Sequence, residues 1–147
     1  MHEILIRQMR VNDVTEIMEI ERMIFSTPWS KSAFLNELQK LHSITKVALS
    51  GDNIIGYICA NYIIDEGHIL NLAVHPGFRR QGIATKLVKE ILENLKEINC
   101  RYLFLEVRAS NHDARKFYEN LGFKAVGFRR NYYISPEEDA ALMMFGL

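Results

Sequence analysis

Two groups of residues in this 147-residue chain have types and spacings suited to chemistry. The first is a loop, His75-Pro76-Gly77-Phe78-Arg79-Arg80-Gln81-Gly82-Ile83-Ala84-Thr85, that opens an amphipathic helix. Pro76 and Gly77 end a strand and set a turn. Gly82 leaves the backbone open to a ligand, because no Cβ stands in the way. The first N–H groups of a helix have no partner within it and carry the positive end of its dipole. With Arg79 and Arg80 beside them, they suit a pyrophosphate. The spacing is neither that of a Walker loop nor that of a dinucleotide fingerprint. Taken alone, the loop reads equally well as a helix start with two solvated arginines.

The second group comprises side chains placed against the grain of their surroundings. Glu106 lies in an apolar strand and shares a face with Tyr102, Phe104 and Arg108. A carboxylate there is either half of a structural ion pair, with Arg108 as a candidate partner, or functional. Tyr118 falls on the apolar stripe of a helix, where the ordinary reading is a core aromatic whose hydroxyl reaches a nearby acceptor. Asn111 stands where that helix needs an N-cap. Glu21 sits seven residues after Val14, where an apolar residue is expected. It reads as a rim carboxylate paired with a neighbouring base, or as a receiver for a charged amine. Phe25 and Trp29 are core or groove wall; Tyr132 and Tyr133, in a polar loop, fit a groove better. His68, His75 and His112 lack zinc-type spacing, so no metal is assigned. No nucleophile elbow points to acyl-enzyme chemistry.

Hydrophobic periodicity supplies the elements that must position these groups. A strand is expected over Glu3 to Met9. A helix capped by Asn12 or Asp13 then runs to about Phe25, with Val14, Ile17, Met18, Ile24 and Phe25 inward. Ser30 caps a second helix with Phe34, Leu35, Leu38 and Leu41 inward. Strands follow at Ser43 to Leu49, Ile54 to Ile63 and His68 to Val74, the first two joined by the turn Ser50-Gly51-Asp52-Asn53. The next helix carries the strongest stripe: Ile83, Leu87, Ile91, Leu95 and Ile98, widened by Val88 and Leu92. A strand at Tyr102 to Val107 and a helix from Asn111 to a Gly122 cap come next. Strands at Phe123 to Arg129 and Ala140 to Phe145, with a loop containing Pro136 between them, complete the order β-α-α-β-β-β-α-β-α-β-β. That order predicts one α/β domain over residues 1–147 around a mixed sheet.

Composition narrows the function. Eighteen basic residues balance eighteen acidic ones, so nothing global calls for nucleic acid or an anionic membrane. Cys59 and Cys100 show neither metal nor disulfide spacing and read as core thiols of a reducing compartment. The opening stretch Met1 to Arg7 lacks the pattern of a signal peptide, and no apolar run reaches about 18 residues. The expectation is a cytoplasmic protein.

The segment Arg79-Arg80-Gln81-Gly82-Ile83-Ala84 resembles the R/Q-x-x-G-x-G/A signature of the GNAT superfamily of N-acetyltransferases. The preceding Leu70-Asn71-Leu72-Ala73-Val74 resembles that family's strand whose splayed end binds the pantetheine arm of acetyl-CoA. Three further blocks are similar to the ribosomal-protein alanine N-acetyltransferases, the RimI type. They are Phe25 to Ser30, Leu103 to Asn111 and Arg129-Arg130-Asn131-Tyr132-Tyr133. The resemblance implies a mostly antiparallel seven-stranded sheet, about four helices and a splayed strand pair holding acetyl-CoA. It implies acetyl-CoA contacts at Leu72, Ala73, Val74, Arg79, Arg80, Gln81, Gly82, Ile83, Ala84, Thr85 and Asn111. It makes Glu106 the general base and Tyr118 the general acid, with Glu21, Phe25, Trp29, Tyr132 and Tyr133 at the acceptor. The acceptor it implies is a protein N-terminus, such as that of an Ala-starting ribosomal protein.

Elementary acid–base values bear on that acceptor. A free α-amine has a pKa near 7.7–8.0 and is roughly a tenth neutral at pH 7. A lysine amine near 10.4 is only about 0.04% neutral. One carboxylate therefore suits an N-terminus better than a lysine. Lysine or small-molecule amine acetylation on the same scaffold is the second enzyme reading. A CoA-binding regulatory module without catalysis is the reading from another class, and the presence of both Glu106 and Tyr118 weighs against it.

Overall fold

The computed structural model describes residues 3–147; Met1 and His2, part of the opening stretch discussed above, lie outside the described residues. The chain begins with β1 (Ile4–Gln8), a 3-10 turn (Val11–Asp13), α1 (Val14–Ile24) and α2 (Lys31–Gln39). Three antiparallel strands follow: β2 (Ser43–Ser50), β3 (Asn53–Ile63) and β4 (Glu66–Val74). Then come a 3-10 turn (Pro76–Phe78), α3 (Ile83–Glu97), β5 (Tyr102–Arg108), α4 (His112–Leu121), β6 (Lys124–Ile134) and β7 (Glu137–Gly146). The seven strands form one sheet in the order β1-β2-β3-β4-β5-β7-β6. Only the β4–β5 pair is parallel. The expected element order and mixed sheet are both present.

Alternation along β3 splits the core. Ile58 and Ala60 point to the face covered by α3 and α4, whereas Tyr57 and Cys59 point to the face covered by α1 and α2. Strand β3 therefore reads as a continuous apolar run, because both of its faces are buried. Six buried residues of α3 (Ile83, Leu87, Val88, Ile91, Leu92 and Leu95) hold that helix on the sheet. Each contributes about 1.5–3 kcal/mol relative to exposure. This fixes the N-terminus of α3 beside the end of β4.

Several local expectations need correction. Asp13 does not cap α1 with its side chain. Its carboxylate accepts from the Arg10 N–H at 2.7 Å and pairs with both guanidinium nitrogens of Arg7 at 2.8 and 2.9 Å. Leu41 and Ile98 lie beyond their helices and are 87% and 42% exposed. Strands β6 and β7 extend toward each other until only Ser135 and Pro136 separate them. Tyr132 and Tyr133 thus belong to β6 and not to a loop. The pairing of β6 with β7 nevertheless jumps from Arg129 to Tyr133, leaving Arg130 to Tyr132 out of register, with Asn131 at φ 52°. The caps at Ser30 and Asn111 form as expected, each side-chain oxygen accepting an N–H at 3.1 Å from the residue three positions on. Gly122 ends α4 in the left-handed conformation.

Candidate active site

The site starts from a failure of pairing. Strands β4 and β5 are matched at Glu66↔Tyr102, Gly67↔Leu103 and His68↔Phe104, and at no residue beyond. From Ile69 onward the two strands splay, and the edge of β4 facing β5 has no partner strand. A cleft of about 490 Å³ occupies the gap. Ile69 to Leu72 line one wall and Leu105 to Arg108 the other, and Phe25, Trp29 and Tyr133 also line it.

A bulge sets which side chains face each way. Asn71 is paired with Cys59 and Ile69 with Ala60, so Leu70 is an extra residue in β4. One added residue reverses the alternation that follows it. Ile69 faces the α3 core, yet Asn71 and Ala73 face α1. Without Leu70 as a bulge, Asn71 would point away from Glu21.

Glu21 is 1% exposed and has no basic partner among the described residues. It accepts from the Tyr57 hydroxyl at 2.5 Å, the Asn71 amide at 2.8 Å and the Trp29 backbone N–H at 2.9 Å. The reading of Glu21 as a rim carboxylate paired with a base is therefore overturned. Glu21 is a buried carboxylate held by three neutral donors, and it lines the cleft. Its bond to Trp29 also ties down the segment that carries Phe25 and Trp29. Burial, then the Glu21 carboxylate, pushes the Tyr57 phenol well above its ordinary value, so Tyr57 stays a donor.

Glu106 keeps the alternation expected of it: Leu103, Leu105 and Val107 are buried, and Glu106 faces the cleft. Its ion-pair partner is not Arg108. His68 Nε2 lies 2.5 Å from Oε2, and Arg129 Nε lies 3.1 Å from Oε1. The Glu106 side chain is 5% exposed and is thereby fixed in one orientation. Tyr118 is buried from α4, edge-on to Phe117 and Phe123. No described residue offers its hydroxyl a hydrogen bond, and no side-chain oxygen among the described residues is both sealed and unpartnered. That hydroxyl therefore opens on the cleft, which Tyr118 lines. Burial, with a smaller effect of Tyr133, raises its pKa well above the usual phenol value.

At the far end of β4, Arg79, Arg80, Gln81 and Gly82 are exposed. Arg80 and Gly82 are left-handed, with φ of 62° and 76°. No side chain caps α3, so its first N–H groups are free. A Cβ built on Gly82 would meet no atom within 4 Å. The loop thus offers free donors, two cations and open space together. The Ile83 side chain is 2% exposed in the core, so only its N–H can serve a ligand. Leu72 and Asn111 line the cleft, while Ala73 turns under α1 and Val74 packs against the α3 core. Tyr132 does not line the cleft; it is 48% exposed, edge-on to Tyr133. Periodicity missed His68 and Arg129 as partners of Glu106, and Tyr57 and Asn71 as partners of Glu21. Each contact spans 23 to 50 residues of sequence and depends on strand register. No group of three or more potential metal ligands occurs among the described residues.

A splayed parallel pair, a free helix start at the end of its first strand and a carboxylate in its second define an acyl-CoA-type transferase architecture. The chain belongs to the acetyltransferase (GNAT) family, whose model matches residues 14–123. Within that family it is 37% identical to the ribosomal protein bS18-alanine N-acetyltransferase of Haemophilus ducreyi, over 89% of this chain and 92% of that one. It is 31% identical to the enzyme of the same name from Escherichia coli strain K12, over 94% of each chain. The crystal structure of the Escherichia coli ribosomal-protein alanine N-acetyltransferase superposes with a TM-score of 0.90 at 29% identity, covering 98% of this chain and 94% of that one. The protein is an N-acetyltransferase of the GNAT family.

Proposed function

We propose that the protein transfers the acetyl group of acetyl-CoA to the free α-amine of a protein N-terminus, with an Ala-starting ribosomal protein as acceptor. The observation that carries this reading is the placing of Glu106 and Tyr118 on the walls of one cleft, where β4 and β5 part. The fit of acetyl-CoA rests on the free N–H groups of α3, on Arg79 and Arg80, and on the open space at Gly82. The N–H groups of Ile83, Ala84 and Thr85 and the Gln81 and Gly82 backbone would hold the pyrophosphate. The unpaired edge of β4 at Leu72, Ala73 and Val74 would hold the pantetheine arm, with Asn111 beside it. Bound there, acetyl-CoA supplies an activated acetyl thioester.

The residues of the chain then have separable tasks. Glu106 takes a proton from the acceptor ammonium, directly or through a water, and His68 and Arg129 keep its oxygens aimed. Tyr118 donates a hydrogen bond to the sulfur as the thiolate leaves. Glu21, Phe25, Trp29 and Tyr133 form the acceptor end, with Tyr132 behind Tyr133. The test is acetyl transfer to a library of N-terminal peptides, N-blocked lysine peptides and polyamines, repeated with Glu106→Gln. The expected result is transfer to free N-termini, falling about 10²–10⁴-fold in kcat/KM in the variant. Good activity on lysine with none on any free N-terminus would overturn the acceptor. Binding of acetyl-CoA without turnover on any amine would favour the regulatory-module reading.

A further inference from the structure

The last residue of β5 is engaged in a way the proposed chemistry does not use. Arg108 shares a face with Glu106, yet its hydrogen bonds and ion pair go elsewhere. Its guanidinium donates to the Pro136 carbonyl at 2.8 Å and the Ser135 carbonyl at 3.1 Å, and it reaches Glu138 Oε1 at 3.3 Å. It also lies over the Tyr133 ring, 4.4 Å from the centroid. Glu138 is held in turn by the Ser110 N–H at 2.7 Å, at the corner between β5 and α4. Two carbonyls, one carboxylate and one aromatic face of the β6–β7 hairpin thus converge on one side chain.

The body of that hairpin is held by the pairing of β7 with β5 from Ala140 to Gly146 and by the Ala109 N–H on the Asp139 carbonyl at 2.9 Å, but its tip has few other attachments. Strand β6 is the edge of the sheet, and Arg130 to Tyr132 have lost their register with β7. Asn131 is tied to Asp139 within the hairpin itself. Beyond Arg108 and Ser110, the side-chain links from the hairpin to the body of the protein among the described residues include Arg129 to Glu106 and Arg115 over the Phe128 ring, 5.8 Å from its centroid, both well short of the tip. Yet Tyr133, near the hairpin tip, stands in the wall of the cleft beside Arg108.

We infer that Arg108 is the positioning residue of the acceptor site: its planar fork latches the β6–β7 hairpin so that Tyr133 lines the cleft with Phe25 and Trp29. Planarity is what the task requires. One face stacks on Tyr133 while the edge serves two carbonyls and Glu138 together. A lysine could satisfy one of these partners but not the set.

The inference rests on the acceptor reading above, so its test has an arm that needs no activity. Hydrogen exchange at Tyr133, Ile134, Glu137 and Glu138 is followed in wild type, Arg108→Gln and Arg108→Lys. The expected result is exchange about tenfold faster or more in Arg108→Gln, with partial recovery in Arg108→Lys and no change in α3. In the kinetic arm, Arg108→Gln raises the KM for an N-terminal peptide by about tenfold while kcat changes less than about threefold. The acetyl-CoA Kd stays within about twofold. Unchanged hairpin exchange overturns the latch. A uniform rise that includes α3, or equal loss of peptide and acetyl-CoA affinity, overturns it in favour of general destabilisation. If the wild-type protein acetylates no N-terminal peptide, the acceptor reading fails, and the exchange arm still decides the latch.

Discussion

Replacing Tyr118 by Phe removes one oxygen and little else. The ring packs against Phe117 and Phe123 with centroids 5.0 and 5.3 Å away, and Phe keeps both contacts. The hydroxyl has no protein acceptor to leave orphaned, so Tm moves by less than about 2 °C. The effect on turnover is far larger. An ordinary phenol, near 10, is already a weaker acid than a thiol near 8.5, so full proton transfer is uphill by about 2 kcal/mol. Burial of Tyr118 widens that gap. In the proposed mechanism Tyr118 therefore acts by donating a hydrogen bond to sulfur as charge gathers there. Loss of one such donor costs about 2.7–4 kcal/mol, or about 10²–10³-fold in kcat. The assay is CoA thiol release at saturating peptide, with acetyl-CoA affinity measured by calorimetry. A fall of about 10²-fold or more with Kd held within about threefold is expected. The pH behaviour follows from the same burial. Because the folded pKa is raised, the neutral phenol's contribution to stability is complete below about pH 10 and is lost as pH rises beyond. The Tyr118 phenol therefore gives the wild-type kcat no alkaline fall below about pH 10. Turnover of Tyr118→Phe within threefold of wild type would refute this account of the leaving group.

Gly82→Ala places a methyl group in open space at a left-handed position. Strain of about 1–2 kcal/mol lowers Tm by a few degrees, and the KM for acetyl-CoA rises about tenfold; an unchanged KM would separate Gly82 from the pyrophosphate. Glu21→Ala leaves Tyr57, Asn71 and the Trp29 N–H without their acceptor, at about 1–3 kcal/mol for each group that stays buried. Thermal melts should show the loss, and peptide KM should rise without a change in acetyl-CoA Kd; a constant peptide KM would remove Glu21 from the acceptor site. Hydrogen bonding from Arg7 holds the Asp13 carboxyl below its ordinary range. The stability this pair supplies is present above about pH 4 and is lost as pH falls through the lowered value. Arg7→Gln should therefore cost about 1.5–3 kcal/mol at pH 7, and its denaturation curve should converge on that of wild type in acid. A gap independent of pH would contradict the pairing.

Local signals carried most of the fold. The α3 stripe, the Ser30 and Asn111 caps and the Gly122 terminus depend on residues within four positions of one another, and each stands where periodicity put it. Errors came where a helix ended before its pattern did. Leu41 and Ile98 continue an apolar spacing, but α2 ends at Gln39 and α3 at Glu97, where Ile98 is the C-cap and the left-handed Asn99 follows. Tyr132 and Tyr133 looked like loop because Arg129-Arg130-Asn131 interrupts the alternation, and the strand absorbs that interruption as a register jump. Glu106 and Tyr118 could be singled out by residue type in an apolar setting. Their surroundings could not. The His68–Glu106 contact exists because β4 and β5 are parallel and in register at His68↔Phe104, and no local pattern encodes that offset. The environment of Glu21 required a bulge at Leu70, which adds one residue to a strand without marking the sequence.

The short β4–β5 seam has a thermodynamic consequence. Three residue pairs join a half-sheet of β1 to β4 to a half-sheet of β5 to β7. A ligand that lies in the wedge and bonds to the free edge of β4 takes the place of the missing rungs. The proposed donor contacts on β4 and the start of α3 lie in the first half, and Asn111 and Tyr118 lie in the second, so only the part of the binding energy that needs both halves adds to the cohesion between them. At a free concentration of 100 times Kd the upper bound on that contribution is about 2.7 kcal/mol. The donor substrate is then also a structural part. Each turnover that ends in product release returns the seam to its weaker state, and the resistance of the C-terminal half to unfolding tracks the supply of the donor.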